Sequence, residues 1–122
     1  MPDASIHPTL AHGLQEVVGR VLSSVTFVAD YVQFDFNGPG LTAYTLPVVT
    51  VESGSLAWGE SGYRDALCLQ IGRHVKRAVA DKKHVAIFFE GGSAIRISLL
   101  DKDYRGPEAL LFSLNSDRMW VV

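Results

Sequence analysis

With 122 residues, 48% of them hydrophobic and 20% charged, the chain is long enough to bury one core and has the make-up of an ordinary soluble globular domain. No apolar run reaches bilayer-spanning length, Met1-Pro2-Asp3-Ala4 lacks the basic start and apolar run of a secretory leader, and the single Cys68 cannot close an internal disulfide. These features argue against a membrane protein and point to a cytoplasmic, bacterial-type one, while the net charge of −2 hides a split: residues 1–62 hold six acids and one base, residues 63–122 ten bases and seven acids.

In chain order, residues 1–8 read as a loose start broken by Pro2 and Pro8. Thr9 is placed to cap a short helix over 10–18, with Leu10, Leu14, Val17 and Val18 on one stripe and Gly13 weakening it. Gly19 stops it. A strand over 21–28 turns at Ala29-Asp30 into 31–36, where Val32, Phe34 and Phe36 face inward. Asn37-Gly38-Pro39-Gly40 reverses the chain into a strand with Thr42, Tyr44 and Leu46 on its inner face, and Val48–Glu52 turns at Ser53-Gly54 into Leu56–Trp58. A second helix starts at Ser61 or Gly62, with Tyr63, Ala66, Leu67, Gln70 and Ile71 on one stripe, and ends at Gly72. Strands over 74–80 and 84–89 follow, the second with Val85, Ile87 and Phe89 inward. After the turn Glu90-Gly91-Gly92-Ser93, Ile95, Ile97 and Leu99 face inward while Arg96 and Ser98 face outward. Leu110–Leu114 and Arg118–Val122 form the last pair.

This order nearly repeats itself. A shift of 53 positions lays Leu14 on Leu67, Gly19-Arg20 on Gly72-Arg73, Val32 on Val85, Phe36 on Phe89, Gly38 on Gly91 and Leu46 on Leu99. Seven of the 38 positions 9–46 are thereby identical, against roughly two or three by chance. The shift then becomes 62, laying Thr50–Trp58 on Phe112–Trp120, so the second copy carries nine extra residues, 101–109. The fold class implied is α+β, mostly antiparallel, one domain over 1–122, with pseudo-symmetric helix-plus-meander repeats at about 9–58 and 62–122. One outward pair differs: Gln33/Asp35 becomes Ala86/Phe88, a face that packs under a helix or serves as a contact surface, for example in a homodimer.

No catalytic set emerges. Cys68 sits in the apolar run Ala66-Leu67-Cys68-Leu69 and reads as a small buried thiol. Gly54-Ser55-Leu56 lacks the second glycine of a nucleophile elbow. His7, His12, His74 and His84 have no ligand spacing, so no metal or other cofactor is implied. The glycine turns join strand to strand and offer no helix N-terminus to a phosphate. The carboxylates Asp101, Asp103 and Glu108 match no acid–base signature. Arg73, Lys76, Arg77, Lys82, Lys83 and Arg96, with Phe88 for stacking, suit nucleic acid in charge, but a pI near 6.0 and the lack of a recognition helix argue against that partner.

The arrangement Ile71-Gly72-Arg73-x-Val75, Val85-x-Ile87-x-Phe89-x-Gly91, Ile95-x-Ile97-Ser98-Leu99, Asp103-Tyr104-x-Gly106-Pro107-Glu108-Ala109 and Trp120-Val121 resembles small bacterial domains of unknown function. Some of these are thought to be immunity proteins of polymorphic or contact-dependent toxin systems. The resemblance covers about residues 67–122 and carries over no catalytic residue. It implies a non-enzymatic protein-binding module that neutralises a toxin domain by occlusion. The expected partner-binding residues are the acids Asp30, Asp35, Glu52 and Glu60, suited to a basic toxin, and Asp101, Asp103, Tyr104, Arg105 and Glu108 of the inserted segment, which can form one helical turn at Pro107. The alternative is a small-molecule-binding or enzymatic pocket between the repeats, with His84, Glu90, Arg96 and Tyr44 as its polar groups, or a homodimeric structural domain.

Overall fold

The computed structural model describes residues 8–122, so His7 and the proposed loose start lie outside the described residues. The chain forms helix α1 (Pro8–Leu14), a 3-10 turn (Gln15–Val17), strands β1 (Ser24–Val28), β2 (Tyr31–Asp35), β3 (Gly40–Ala43), β4 (Val48–Val51) and β5 (Gly54–Leu56). Then follow helix α2 (Tyr63–Cys68), β6 (Val75–Ala80), β7 (His84–Phe89), β8 (Ala94–Ser98), a 3-10 turn (Asp101–Asp103), β9 (Leu110–Asn115) and β10 (Arg118–Val121). The fold is α+β with two antiparallel five-stranded sheets, ordered β1-β2-β3-β9-β10 and β5-β4-β8-β7-β6. Each sheet therefore takes three strands from one half of the chain and two from the other.

Alternation along the strands drives the packing. Val32, Phe34, Leu41, Leu110 and Phe112 of the first sheet meet Val49, Val85, Ile87, Ile95 and Ile97 of the second in one buried cluster. The helices close its ends through Leu10, Leu14, Ala66 and Leu67. Between the halves, segments 19–22 and 72–75 cross antiparallel. The Gly19 N–H donates to the Val75 carbonyl at 2.8 Å, and the Gly72 N–H to that of Leu22 at 2.8 Å. The Leu22 N–H donates to Arg73 at 3.1 Å, the Val75 N–H to Arg20 at 2.8 Å, and Val21 bridges His74.

Each tryptophan anchors a helix. Trp58 meets Tyr63 of α2 edge-on at 6.0 Å, and Trp120 stacks on Phe112 at 5.7 Å while its indole N–H donates to Thr9 Oγ1 at 3.1 Å. Gly13 is required here because a Cβ would lie 2.6 Å from the Trp120 ring, so the residue that weakens α1 in isolation is what lets the indole approach.

Several expectations are corrected. The first helix begins at Pro8 rather than after a Thr9 cap, and tightens into a 3-10 turn that leaves Val18 41% exposed. The inner residues of β3 and its extension are Leu41, Ala43 and Thr45, not Thr42, Tyr44 and Leu46. The cause is turn length. The Phe36 N–H donates to Pro39, but the Phe89 N–H donates to Ser93, one residue further on. A one-residue difference in a turn flips every following side chain to the other face. Cys68 is exposed, because the short α2 turns it and Leu69 away from the stripe of Tyr63, Ala66 and Leu67. Ile71, placed on that stripe by spacing, is likewise 43% exposed, beyond the end of α2. In the inserted segment the helical turn falls at Asp101–Asp103, not at Pro107. Among the described residues no helix is long and apolar enough to cross a membrane.

Candidate functional site

A cleft forms on the outer face of the second sheet. Registers place its floor: His84 of β7 lies opposite Ser98 of β8, and Arg96 of β8 opposite both Ala86 of β7 and Val48 of β4. Paired residues share a face, and here it is the face opposite buried Val85, Ile95 and Ile97. One wall is the β3–β4 connection, where Thr45 Oγ1 donates to the Ser98 carbonyl at 2.7 Å. The other is the segment after β8, pinned at its start by the Leu99 N–H donating to Lys83 at 2.8 Å. Ser98 Oγ donates to the Asp103 carboxylate at 2.5 Å and accepts the Leu100 N–H at 3.1 Å. Tyr104 packs against the core, and Arg105 reaches across to the first sheet, donating to the Asp30 carbonyl at 2.9 Å.

The cleft, open on one side to solvent, has a volume of about 520 Å³, within the range of small-ligand sites. Leu46, Val48 and Leu100 supply apolar surface, while Lys83, Arg96, Asp103 and Arg105 supply charge and His84 an imidazole. Among the described residues the ion pairs are His84 with Asp81 and Lys102 with Asp103, both at 3.6 Å. Lys83, Arg96 and Arg105 thus form no ion pair there. Burial alone would raise the Asp81 carboxyl, but the backbone N–H groups of Lys83 and His84 and the charges of both side chains outweigh it and hold the group below the usual carboxylate range. Asp81 thereby fixes the turn that carries Lys83 and His84.

The residues expected to bind a partner fall in separate places. Asp30, Arg105 and Glu108 line a shallow cleft of about 290 Å³ with Tyr44, beside the basic one, and Arg105 lines both. Asp101 is exposed next to them. Asp35, at the far end of β2, accepts from Ser24 Oγ at 2.8 Å. Glu52 lies in the β4–β5 turn near Arg73, and Glu60 accepts the Ala57 N–H at 2.6 Å in the loop before α2. The four acids of the first half expected to bind a partner, Asp30, Asp35, Glu52 and Glu60, therefore form no single surface, because strands and turns carry them to different ends of the sheets. Of the pocket residues named from sequence, His84 and Arg96 come together. Tyr44 lines the adjoining cleft, and Glu90 sits at the other end of β7, bonded through its N–H to His74 at 2.9 Å.

Ser98, Thr45 and Leu46 were not singled out by sequence as site residues, and Lys83 only within the basic set weighed for nucleic acid. The outward alternation of Arg96 and Ser98 was the available signal for the floor. Ala86 is fully buried between its cross-strand neighbours Val79 and Arg96, and Phe88 lies 4.3 Å beneath the Arg77 guanidinium, so this pair is not an open apolar patch. Elsewhere Arg64 lies between Phe27 and Trp58, at 5.6 and 5.9 Å. Tyr63, whose hydroxyl donates to Pro47 at 2.6 Å, is held protonated far above the ordinary phenol range by burial. Among the described residues no three His, Cys, Asp or Glu side chains gather as metal ligands. The chain matches no family model, and no curated protein or solved structure matches it significantly.

Proposed function

We propose that this chain is a non-enzymatic protein-binding module, and in its most specific form a cytoplasmic immunity protein that neutralises a toxin domain by occlusion. The observation that carries the reading is the 101–109 segment, which is tied down at Ser98 and at Asp30 yet leaves Asp101, Lys102 and Glu108 exposed. A segment held at its middle, through Asp103 and Arg105, loses little further freedom on binding, which favours its use as a recognition element. Tyr104 is not a free anchor in this reading, since it packs against the core and positions the segment.

The same reading treats the two halves as copies related by an approximate two-fold. It is supported by the strand orders, which correspond when β1 to β5 are laid on β6 to β10, and by the matched bonds of Gly19 with Val75 and Gly72 with Leu22. The nine extra residues then distinguish one copy from the other, and recognition belongs to that difference.

The test is co-purification of the tagged chain from its native cells, followed by partner capture with D101A/K102A/E108A and with D35A/E52A/E60A. A stoichiometric partner lost with the first set and kept with the second supports the reading. Equal capture by both sets contradicts it. A homodimer through the Ala86/Phe88 face would appear instead as a doubled mass in light scattering that F88A halves.

A further inference from the structure

We propose that the cleft on the outer face of the second sheet is a binding site for a phosphate monoester with an apolar body. This goes beyond protein occlusion and stands without it, and it takes up the reading of a small-molecule pocket between the halves.

Three observations converge. First, Lys83, Arg96 and Arg105 line one cleft and form no ion pair among the described residues. Cations gathered at one place repel each other, and an anion placed among them relieves that cost. Secondly, cations outnumber carboxylates at the site. Lys83, Arg96 and Arg105 line it against one lining carboxylate, Asp103, and they still outnumber the acids when Asp81, held near Lys83, is counted. Asp103 is itself engaged by Ser98 Oγ and by Lys102. The anionic headgroup of a phosphate monoester answers that excess, and two guanidinium groups suit its oxygens. Thirdly, Leu46, Val48 and Leu100 give the cleft an apolar side that free phosphate would leave uncovered. Charge at one end and apolar surface at the other define an amphipathic anion.

The assembly of the site also explains its construction from distant parts of the chain. Leu46 and Val48 come from the first half, Arg96 from β8, Lys83 from the β6–β7 turn, and Arg105 from the inserted segment. Without the 101–109 segment the cleft would lose Asp103 and Arg105 and become an open sheet face.

Calorimetry on the full chain with four probes tests this: phenyl phosphate, inorganic phosphate, phenylacetate and benzyl alcohol. Phenyl phosphate should bind one to one, and about tenfold more tightly than inorganic phosphate or phenylacetate. R96Q and K83Q should each weaken it about tenfold, while K76Q, outside the cleft, should leave it unchanged. Circular dichroism checks that the variants fold, and because Arg96 and Lys83 are both exposed, two independent variants carry the result. Equal affinity for phenyl phosphate and inorganic phosphate, tighter binding of benzyl alcohol, or binding indifferent to both R96Q and K83Q would overturn the proposal. So would the absence of phenyl phosphate binding at millimolar concentration. A single-stranded oligonucleotide that binds far more tightly and loses affinity with R77Q would also overturn it, by making the whole basic sheet face the site.

Discussion

The outer faces of the two sheets are built on one pattern of strands but filled differently. Continuing the β2–β3 register sets Tyr31 opposite Tyr44, and their rings stand 5.5 Å apart. The corresponding strands of the second sheet set His84 opposite Ser98. The next pair is Gln33 with Thr42 on the first sheet and Ala86 with Arg96 on the second. Two phenol rings fill one place, whereas an imidazole and a serine hydroxyl leave the other open. The connections differ as well: residues 44–47 join β3 to β4, whereas 99–109 join β8 to β9. The long connection wraps around the unfilled place and makes it a cleft. Strand pairing thus sets where a site can form, and the size of a few side chains with the length of one connection decides which face carries it.

The largest effects test whether the halves share one core beneath these unlike faces. Phe36 and Phe89 are each 1% exposed. Phe36→Ala and Phe89→Ala should each cost about 3–5 kcal/mol, in a single denaturation transition seen by both fluorescence and circular dichroism. Two separate transitions would mean that the halves fold apart. Next comes the contact of α1 with β10. Gly13→Leu should destabilise by about 1–3 kcal/mol and shift Trp120 fluorescence, since its side chain would enter the indole's space. An unchanged spectrum would contradict that packing.

The comparison of faces is tested directly by giving one sheet the filling of the other. Ser98→Tyr should abolish phenyl phosphate binding and cost about 1–2 kcal/mol, because Ser98 Oγ also serves Asp103 and Leu100. Retained binding would show that the open place is not the site. Arg105→Ala removes the tie to Asp30 and should cost about 0.5–1.5 kcal/mol while speeding amide exchange across 101–109. Protection unchanged from the parent would show that the segment is held by other contacts.

The smallest effect is in pH. The folded Asp81 carboxyl lies below its ordinary value, so its contribution is complete above the unfolded value near 3.9 and fades as pH falls through the lower folded value. Asp81→Asn should flatten that part of the acid stability curve and leave the neutral region parallel to the parent. A steeper acid loss in the variant would reverse the assignment.

Much of this was legible in the residues. The glycines after both helices and the inward sets Val32-Phe34-Phe36 and Val85-Ile87-Phe89 signalled themselves through period and turn chemistry. The slip in β3 did not, because a gap-free match to Leu46/Leu99 is indifferent to which turn holds one more residue. Nor did the exchange of β4-β5 and β9-β10 between the sheets, which depends on long-range pairing that no local signal encodes. For the site, outward Arg96 and Ser98 were readable from alternation. The approach of Lys83 and Arg105 to them was not, since it depends on a turn and an irregular segment folding onto the same sheet face. The acidic residues of the first half misled for the same reason: nearness in charge along the chain is not nearness in space.

The central claim is that binding belongs to one sheet face and not the other. The most direct measurement is a map of backbone amide shifts during titration with phenyl phosphate, read over both sheets at once. The account predicts movement at Lys83, His84, Arg96, Ser98, Asp103 and Arg105, with Tyr31, Gln33 and Thr42 still. Movement centred on the Tyr31–Tyr44 face, or spread evenly over both, would contradict it.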